Sequence, residues 1–174
     1  MFGSHFTLTF ATIVVALSSL GGSVAVANSL KSVAETAGLL GTWTTDCSKP
    51  PTHANWYITY EATPTGGVQA LYNNGPPIGS LLAVVESILI VSPTTVATRV
   101  RYSDPKWGKN NGDVFDMILE LKDDRKHTIR SVRIDGHVFV KDGIMTSSGR
   151  PSAIHQRCLT KPLAYSPKRK VAQG

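Results

Sequence analysis

The chain reads as an all-β protein: a single up-and-down antiparallel β-barrel of about eight strands with a short N-terminal helix, its first and last strands linked by a disulfide. Three observations predict this. Short runs of period-two apolar alternation follow one another from residue 41 to residue 160, and that period sends successive side chains to opposite faces of a strand. Tight-turn pairs separate the runs, among them Asn111-Gly112, Asp135-Gly136 and Asp142-Gly143, which tolerate the positive φ of two-residue hairpins. Cys47 and Cys158 fall in the first and last runs. Bonding them brings the two ends of the meander together, and a meander whose end strands are neighbours is a closed barrel.

The elements follow in order. Residues 1–27 are expected to be a signal peptide, because the chain carries no charged side chain before Lys31. Their apolar centre, 10–20, has signal length and is short for a membrane span. Ala25-Val26-Ala27 gives a small-x-small cleavage pattern, so the cut is expected after Ala27. The leading segment offers only the amino terminus and His5 as positive groups, which keeps a retained leader acting as an anchor as the alternative. No cysteine stands at the cut, so nothing suggests a lipoprotein. Either way the protein is expected to be periplasmic or secreted.

Residues 28–40 form a short helical lead-in, with Leu30, Val33, Ala34 and Ala37 at helical spacing and Gly38 as a stop. Residues 41–161 make the barrel, and 162–174 a basic tail containing Lys168-Arg169-Lys170. Trp56, Ile58 and Tyr60 share one face of the next strand, and residues 68–73 return from the turn at 64–67. The run 81–92 is apolar on both faces, as for a strand packed on each side. In 95–102, Val96, Val100 and Tyr102 oppose Arg99 and Arg101. Further on, Phe115, Met117, Leu119 and Leu121 oppose Asp116, Ile118, Glu120 and Lys122. The apolar phase of 127–134 slips between Ile129 and Val132, which predicts a bulge near Arg130-Ser131. The last strand, 153–160, carries Cys158.

Bulk composition narrows the function classes. With 41% hydrophobic and 17% charged residues in 174, the chain is a globular protein and not a disordered one. Its net charge of +6 favours anionic partners such as headgroups or acidic glycans, or is simply a basic soluble surface. No nucleic-acid-binding motif accompanies it. Two cysteines in an exported chain are expected to pair, and there is no C-x-x-C. Outside the leader, His53, His127, His137 and His155 show neither H-x-H nor H-E-x-x-H spacing, so no metal site is predicted. Asp104, Asn110, Asn111 and Asp113 share a loop but miss the spacing of a calcium loop. There is no G-x-S-x-G and no phosphate-cradling glycine loop. No catalytic residue and no cofactor are predicted.

Gly41-Thr42-Trp43, placed after a short helical turn and before a series of hairpin-linked strands, resembles the lipocalin-like (calycin) barrels. The resemblance implies that Trp43 plugs the closed end and that a basic residue near the last strand packs across it. With Cys47 facing Cys158, position 162 falls opposite Trp43, which makes Lys161 the nearest basic candidate and Arg157 a more distant one. The longer pattern GTWTTDCSKPP at 41–51, with the late Asp-Gly pairs, Ser148-Gly149 and Arg157-Cys158, also resembles a set of small exported proteins of proteobacteria. That likeness implies no activity.

Three functions compete. The first is a non-catalytic binding module for a small apolar or amphipathic ligand, with Val100, Tyr102, Phe115, Met117 and Leu119 as candidate lining residues. Glu86 interrupts an apolar strand. It is either a polar anchor in the cavity or a surface carboxylate paired with Arg99 or Arg101. The second is a periplasmic protein-binding role such as protease inhibition. Bacterial metalloprotease inhibitors share the barrel and insert a segment equivalent to residues 28–32, although their disulfide is local to the early strands. The third is an envelope or polyanion-binding protein using the basic tail with Arg99 and Arg101. Trp107, beside Lys106 and Lys109, is placed either to touch a membrane or partner or to fold over the barrel mouth. The protein is expected to be a monomer with no nucleic-acid partner.

Overall fold

The computed structural model describes residues 29–103, 112–123 and 125–159. Helix α1 (Leu30–Thr36) starts at Ser29, whose hydroxyl accepts from the Ser32 N–H at 3.3 Å, satisfying one of the orphan donors of a helix N-terminus. Its Ala34 is buried, and Leu30, Val33, Leu39 and Leu40 pack onto the barrel core. The Lys31 N–H donates to the Gly66 carbonyl at 3.0 Å, which ties the helix to the turn between the second and third strands. The helix and the segment after it close one end of the barrel.

Ten strands follow: β1 (Gly41–Thr44), β2 (Tyr57–Ala62), β3 (Val68–Asn73), β4 (Ser80–Ser92), β5 (Thr95–Tyr102), β6 (Val114–Asp123), β7 (Lys126–Ile134), β8 (His137–Lys141), β9 (Ile144–Met145) and β10 (Ile154–Cys158). Consecutive strands from β1 to β9 pair antiparallel, and β10 pairs with both β1 and β7. Eight strands, β1 to β7 and β10, therefore close the barrel. The simple meander expected from sequence needs one correction: β8 and β9 form a hairpin that branches from the far half of β7. Here β7 changes partner. Its first half, at Lys126 to Thr128, faces β10, and its second, at Val132 to Ile134, faces β8. Asp135-Gly136 and Asp142-Gly143 turn this hairpin with positive φ at all four residues, as two-residue loops of mirror-image type require.

Bulges keep the apolar faces inward. Ile118 pairs with Ser131 and Leu119 with Ile129, so Arg130 is the extra residue of β7, as the phase slip predicted. A second bulge lies in β4, where Val85 pairs with Val100 and Ser87 with Arg99, leaving Glu86 as the extra residue. It corrects the expectation of a strand packed on both faces. Leu81, Ala83, Val85 and Ile88 point in, whereas Leu82, Val84, Leu89 and Val91 are exposed on the outer wall.

Cys47 and Cys158 are bonded, with Cα atoms 5.7 Å apart. The register differs from expectation because Cys47 lies in the turn after β1 and not in the strand. The chain hooks back outside the barrel to reach Cys158, which itself pairs with Thr42. Asn55 organises that hook. Its side-chain oxygen accepts from Thr44 Oγ1 at 2.9 Å, Thr45 Oγ1 at 2.6 Å and the Asp46 N–H at 3.0 Å, while its amide donates to the carbonyls of Asp46, Lys49 and Pro50. The Asp46 carboxylate accepts from Ser48 Nα and Oγ and pairs with Lys49 at 2.9 Å. These hydrogen bonds hold its pKa down to about 2.

Candidate functional site

The register places Arg157 opposite Trp43, which corrects the assignment of Lys161; that residue lies outside the described ones. The Arg157 guanidinium stands 5.8 Å from the Trp43 ring centroid and donates to the Leu40 carbonyl, a cation–π arrangement. Gly41 makes room for it: a Cβ there would lie 2.9 Å from Arg157 Nε, and the backbone φ of +123° suits glycine. Trp43 is buried, and its indole N–H donates to the Leu39 carbonyl at 2.8 Å. The spacing Gly-x-Trp thus has a local cause, a glycine that admits the cation covering the tryptophan two residues later.

From Trp43 a continuous column of rings runs up the barrel. His127 lies 4.5 Å from Trp43 between centroids, and His155 stacks 5.3 Å from His127 with 26° between planes. Trp56 follows at 4.7 Å, Tyr72 at 6.2 Å, Tyr102 at 5.6 Å and Phe115 at 4.4 Å. The upper part of this column walls a cavity of about 410 Å³ that opens at the end away from α1. Trp56, Tyr72, Tyr102, Phe115 and Met117 line it, with His155 at its floor and Phe139 and Met145 from the β8–β9 hairpin at its rim. The depth gradient is plain: His155 is 1% exposed and Phe139 50%.

The two histidines are the chemically unusual groups. They face each other across the β7–β10 pairing, both are buried, and none of their ring nitrogens has a hydrogen-bond partner. Burial holds both rings neutral, with the pKa of His127 lowered to about 3, helped by the neighbouring His155, and that of His155 to about 4. A neutral imidazole keeps one N–H donor and one acceptor, and each unpaired buried polar group costs about 1–3 kcal/mol. The hydroxyls of Tyr60 and Tyr72 are also buried and interact with each other. Burial raises both phenols, and pushes that of Tyr102 up to about 12. Among the described residues no group of three or more His, Cys, Asp or Glu side chains is arranged to hold a metal.

The structure sorts the candidates named from sequence. Tyr102, Phe115 and Met117 line the cavity. Val100 and Leu119 are packed into the core and do not border it. Glu86 is on the outer wall, next after the inward-facing Val85, where it pairs with Arg101 and, at 3.9 Å, with Arg99. Arg99 also reaches Asp116 at 3.4 Å, so the arginines proposed for polyanions are already matched by carboxylates. Ser29 to Ser32 are bound into the start of α1. Residues 1–28, Trp107 and its loop, and the basic tail lie outside the described residues.

Sequence reasoning missed Trp56, Tyr72 and His155. The first two were findable from phase, since Trp56 shares a face with Ile58 and Tyr60, and Tyr72 with Val68 and Ala70. His155 had no such signal, because its meaning depends on His127 lying opposite.

No protein-family model matches the chain, and no curated protein sequence matches it. Among solved structures it is similar to the crystal structure of Treponema pallidum Tp0751 (Pallilysin), with a TM-score of 0.46 and 9% identity, covering 74% of this chain and 85% of that one.

Proposed function

We propose that the protein is an exported, non-catalytic binding module that holds a small, mainly apolar molecule inside the barrel. One observation carries this: the cavity of about 410 Å³ is walled by aromatic and aliphatic side chains and open at one end. Its size falls in the range of small-molecule sites, roughly 300–1,000 Å³. Export is supported by the Cys47–Cys158 bond, since such bonds persist in oxidising compartments, and by the uncharged leader. A binding role is favoured over catalysis because the described cavity wall offers no carboxylate, lysine or arginine to act as acid, base or counter-charge.

A second reading has its own observation. Val138, Phe139, Ile144 and Met145 are exposed on the β8–β9 hairpin, and exposed apolar side chains around a rim suit a protein partner.

Fluorescence titration with the neutral probe N-phenylnaphthylamine tests the main reading. Saturable blue-shifted emission is expected, and Met117→Trp, which fills the cavity, is expected to abolish it while circular dichroism stays unchanged. Absent or unsaturable binding to the wild type, or binding indifferent to Met117→Trp, would sink the interior-ligand reading in favour of the rim.

A further inference from the structure

We infer that the groove beside the disulfide, at the end of β10, binds an oxyanion of phosphate type. It shares no lining residue with the interior cavity, so the inference stands apart from the interior-ligand reading.

Three cations line this groove: Arg125 and Lys126 where β6 turns into β7, and Arg157 in β10. The fold itself brings them together. Lys126 pairs with Gln156, the neighbour of Arg157, and the Arg157 N–H donates to the Arg125 carbonyl at 2.7 Å. Cys47 and Cys158, bonded to each other, line the same groove. Strand β7 begins at Lys126, so the groove lies at the rim of the barrel wall, where side chains from either face can reach one ligand. Asp123 is the one carboxylate among the described lining residues, and one of its oxygens accepts from the Arg125 N–H at 2.8 Å. Asp124, next in the chain, lies outside the described residues.

The outer wall treats its cations differently. There Arg99 and Arg101 face Glu86, and Lys122 and Arg130 face Glu120. In the groove, neither Lys126 nor Arg157 has a carboxylate partner among the described residues. Arg157 is braced instead by the Leu40 carbonyl and the Trp43 ring. The carbonyl occupies one of five guanidinium N–H donors, and the bracing removes side-chain freedom before any ligand arrives. Lys126 is exposed, and its flexible stem lets the ammonium close on a bound anion. A phosphate offers several acceptor oxygens, and charge-assisted hydrogen bonds to it are about twice as strong as neutral ones. Cations gathered at a concave site also concentrate anions more than the same charges on a flat surface. The groove, at about 610 Å³, leaves room for a phosphate carried on a larger molecule.

Backbone-amide NMR of the full chain, titrated with inorganic phosphate at constant ionic strength, tests this. Saturable shifts are expected at Arg125, Lys126 and Arg157 and none at Arg99 and Arg101. Lys126→Gln is expected to weaken binding about fivefold, and Arg99→Gln to leave it unchanged. Asp123→Asn keeps an acceptor for the Arg125 N–H but removes the charge, and is expected to tighten binding about twofold. Vesicles of phosphatidylglycerol, set against phosphatidylcholine, identify the carrier. Saturation by inorganic phosphate without vesicle binding assigns a soluble phosphate; binding to the anionic vesicles that Lys126→Gln weakens assigns a lipid headgroup. Response to neither probe overturns the inference. So do equal shifts at Arg99 and Arg101, vesicle binding indifferent to the headgroup, or a folded Lys126→Gln protein that binds as the wild type does.

Discussion

Asn55 and His155 are both polar and both buried, 7% and 1% exposed, yet the chain treats them in opposite ways. In the hook after β1, every hydrogen-bonding atom of the Asn55 side chain is used. Inside the barrel, the side chains of His155 and its neighbour His127 make no hydrogen bond. The hook is a finished structure whose polar groups serve stability. The ring column holds unpartnered imidazole nitrogens in an apolar setting, where they weaken the fold. Burial alone therefore does not say whether a polar side chain supports the fold; its partners do.

Acid is the strongest way to sharpen that contrast. Both histidines have folded-state pKa values depressed from 6.5, to about 3 and about 4. The unfolded chain therefore binds more protons than the fold between those values and 6.5, and stability falls as pH drops through that window. Between pH 7.5 and 4.5 the loss is expected to be on the order of 5 kcal/mol for the two rings together. Denaturant unfolding at the two pH values measures it, and His127→Phe with His155→Phe should flatten the difference. The Asp46 carboxyl, lowered from 3.8 to about 2, loses its contribution below about pH 4 and so barely enters the interval from pH 7.5 to 4.5. A pH-independent midpoint would show that the imidazoles are not held neutral.

Opening the disulfide comes next. It closes a sequence separation of 111 residues, and on the chain-entropy account its loss through Cys47→Ser and Cys158→Ser costs about 4–5 kcal/mol. Unfolding of oxidised and double-serine proteins compares them directly; equal stabilities would mean that the hook holds β1 to β10 without help. Asn55→Ala, which strands the hydroxyls and carbonyls it now serves, is expected to cost about 3 kcal/mol while leaving probe binding in the cavity intact. Impaired probe binding by a folded Asn55→Ala protein would show that the two regions are coupled. The smallest effect belongs to Glu86→Gln on the outer wall, at or below about 1 kcal/mol, with no change in ligand affinity. A marked loss of affinity there would contradict the outward placement of Glu86.

The architecture was legible where a marker interrupts the pattern. The phase slip in β7 announced the Arg130 bulge because polar and apolar residues alternate cleanly on either side of it. The β4 bulge was not legible, since β4 is apolar on both faces and a shift of phase leaves no trace. The cysteines told correctly which strands close the barrel. They misled on register because Cys47 lies past the end of its strand, and it was Arg157, not Lys161, that came to stand over Trp43. In the cavity, Tyr102, Phe115 and Met117 followed from alternation. The histidine pair did not, because β7 and β10 become neighbours only when the β8–β9 hairpin steps aside from the barrel wall. Asn55 was equally hidden: its partners are near in sequence, but most are backbone groups that any residue type supplies.

Seen as a covalent object, residues 47–158 form one large ring. Cys47 and Cys158 close the loop outside the hydrogen-bonded wall, so a protease cut at the turn of Asp142 and Gly143 leaves the two pieces in one molecule. A pull on the chain beyond Cys158 is likewise carried through sulfur into the Asn55 hook and not along the hydrogen bonds of β10. The junctions of β10 with β1 and β7 are thereby guarded by a covalent bond as well as by hydrogen bonds.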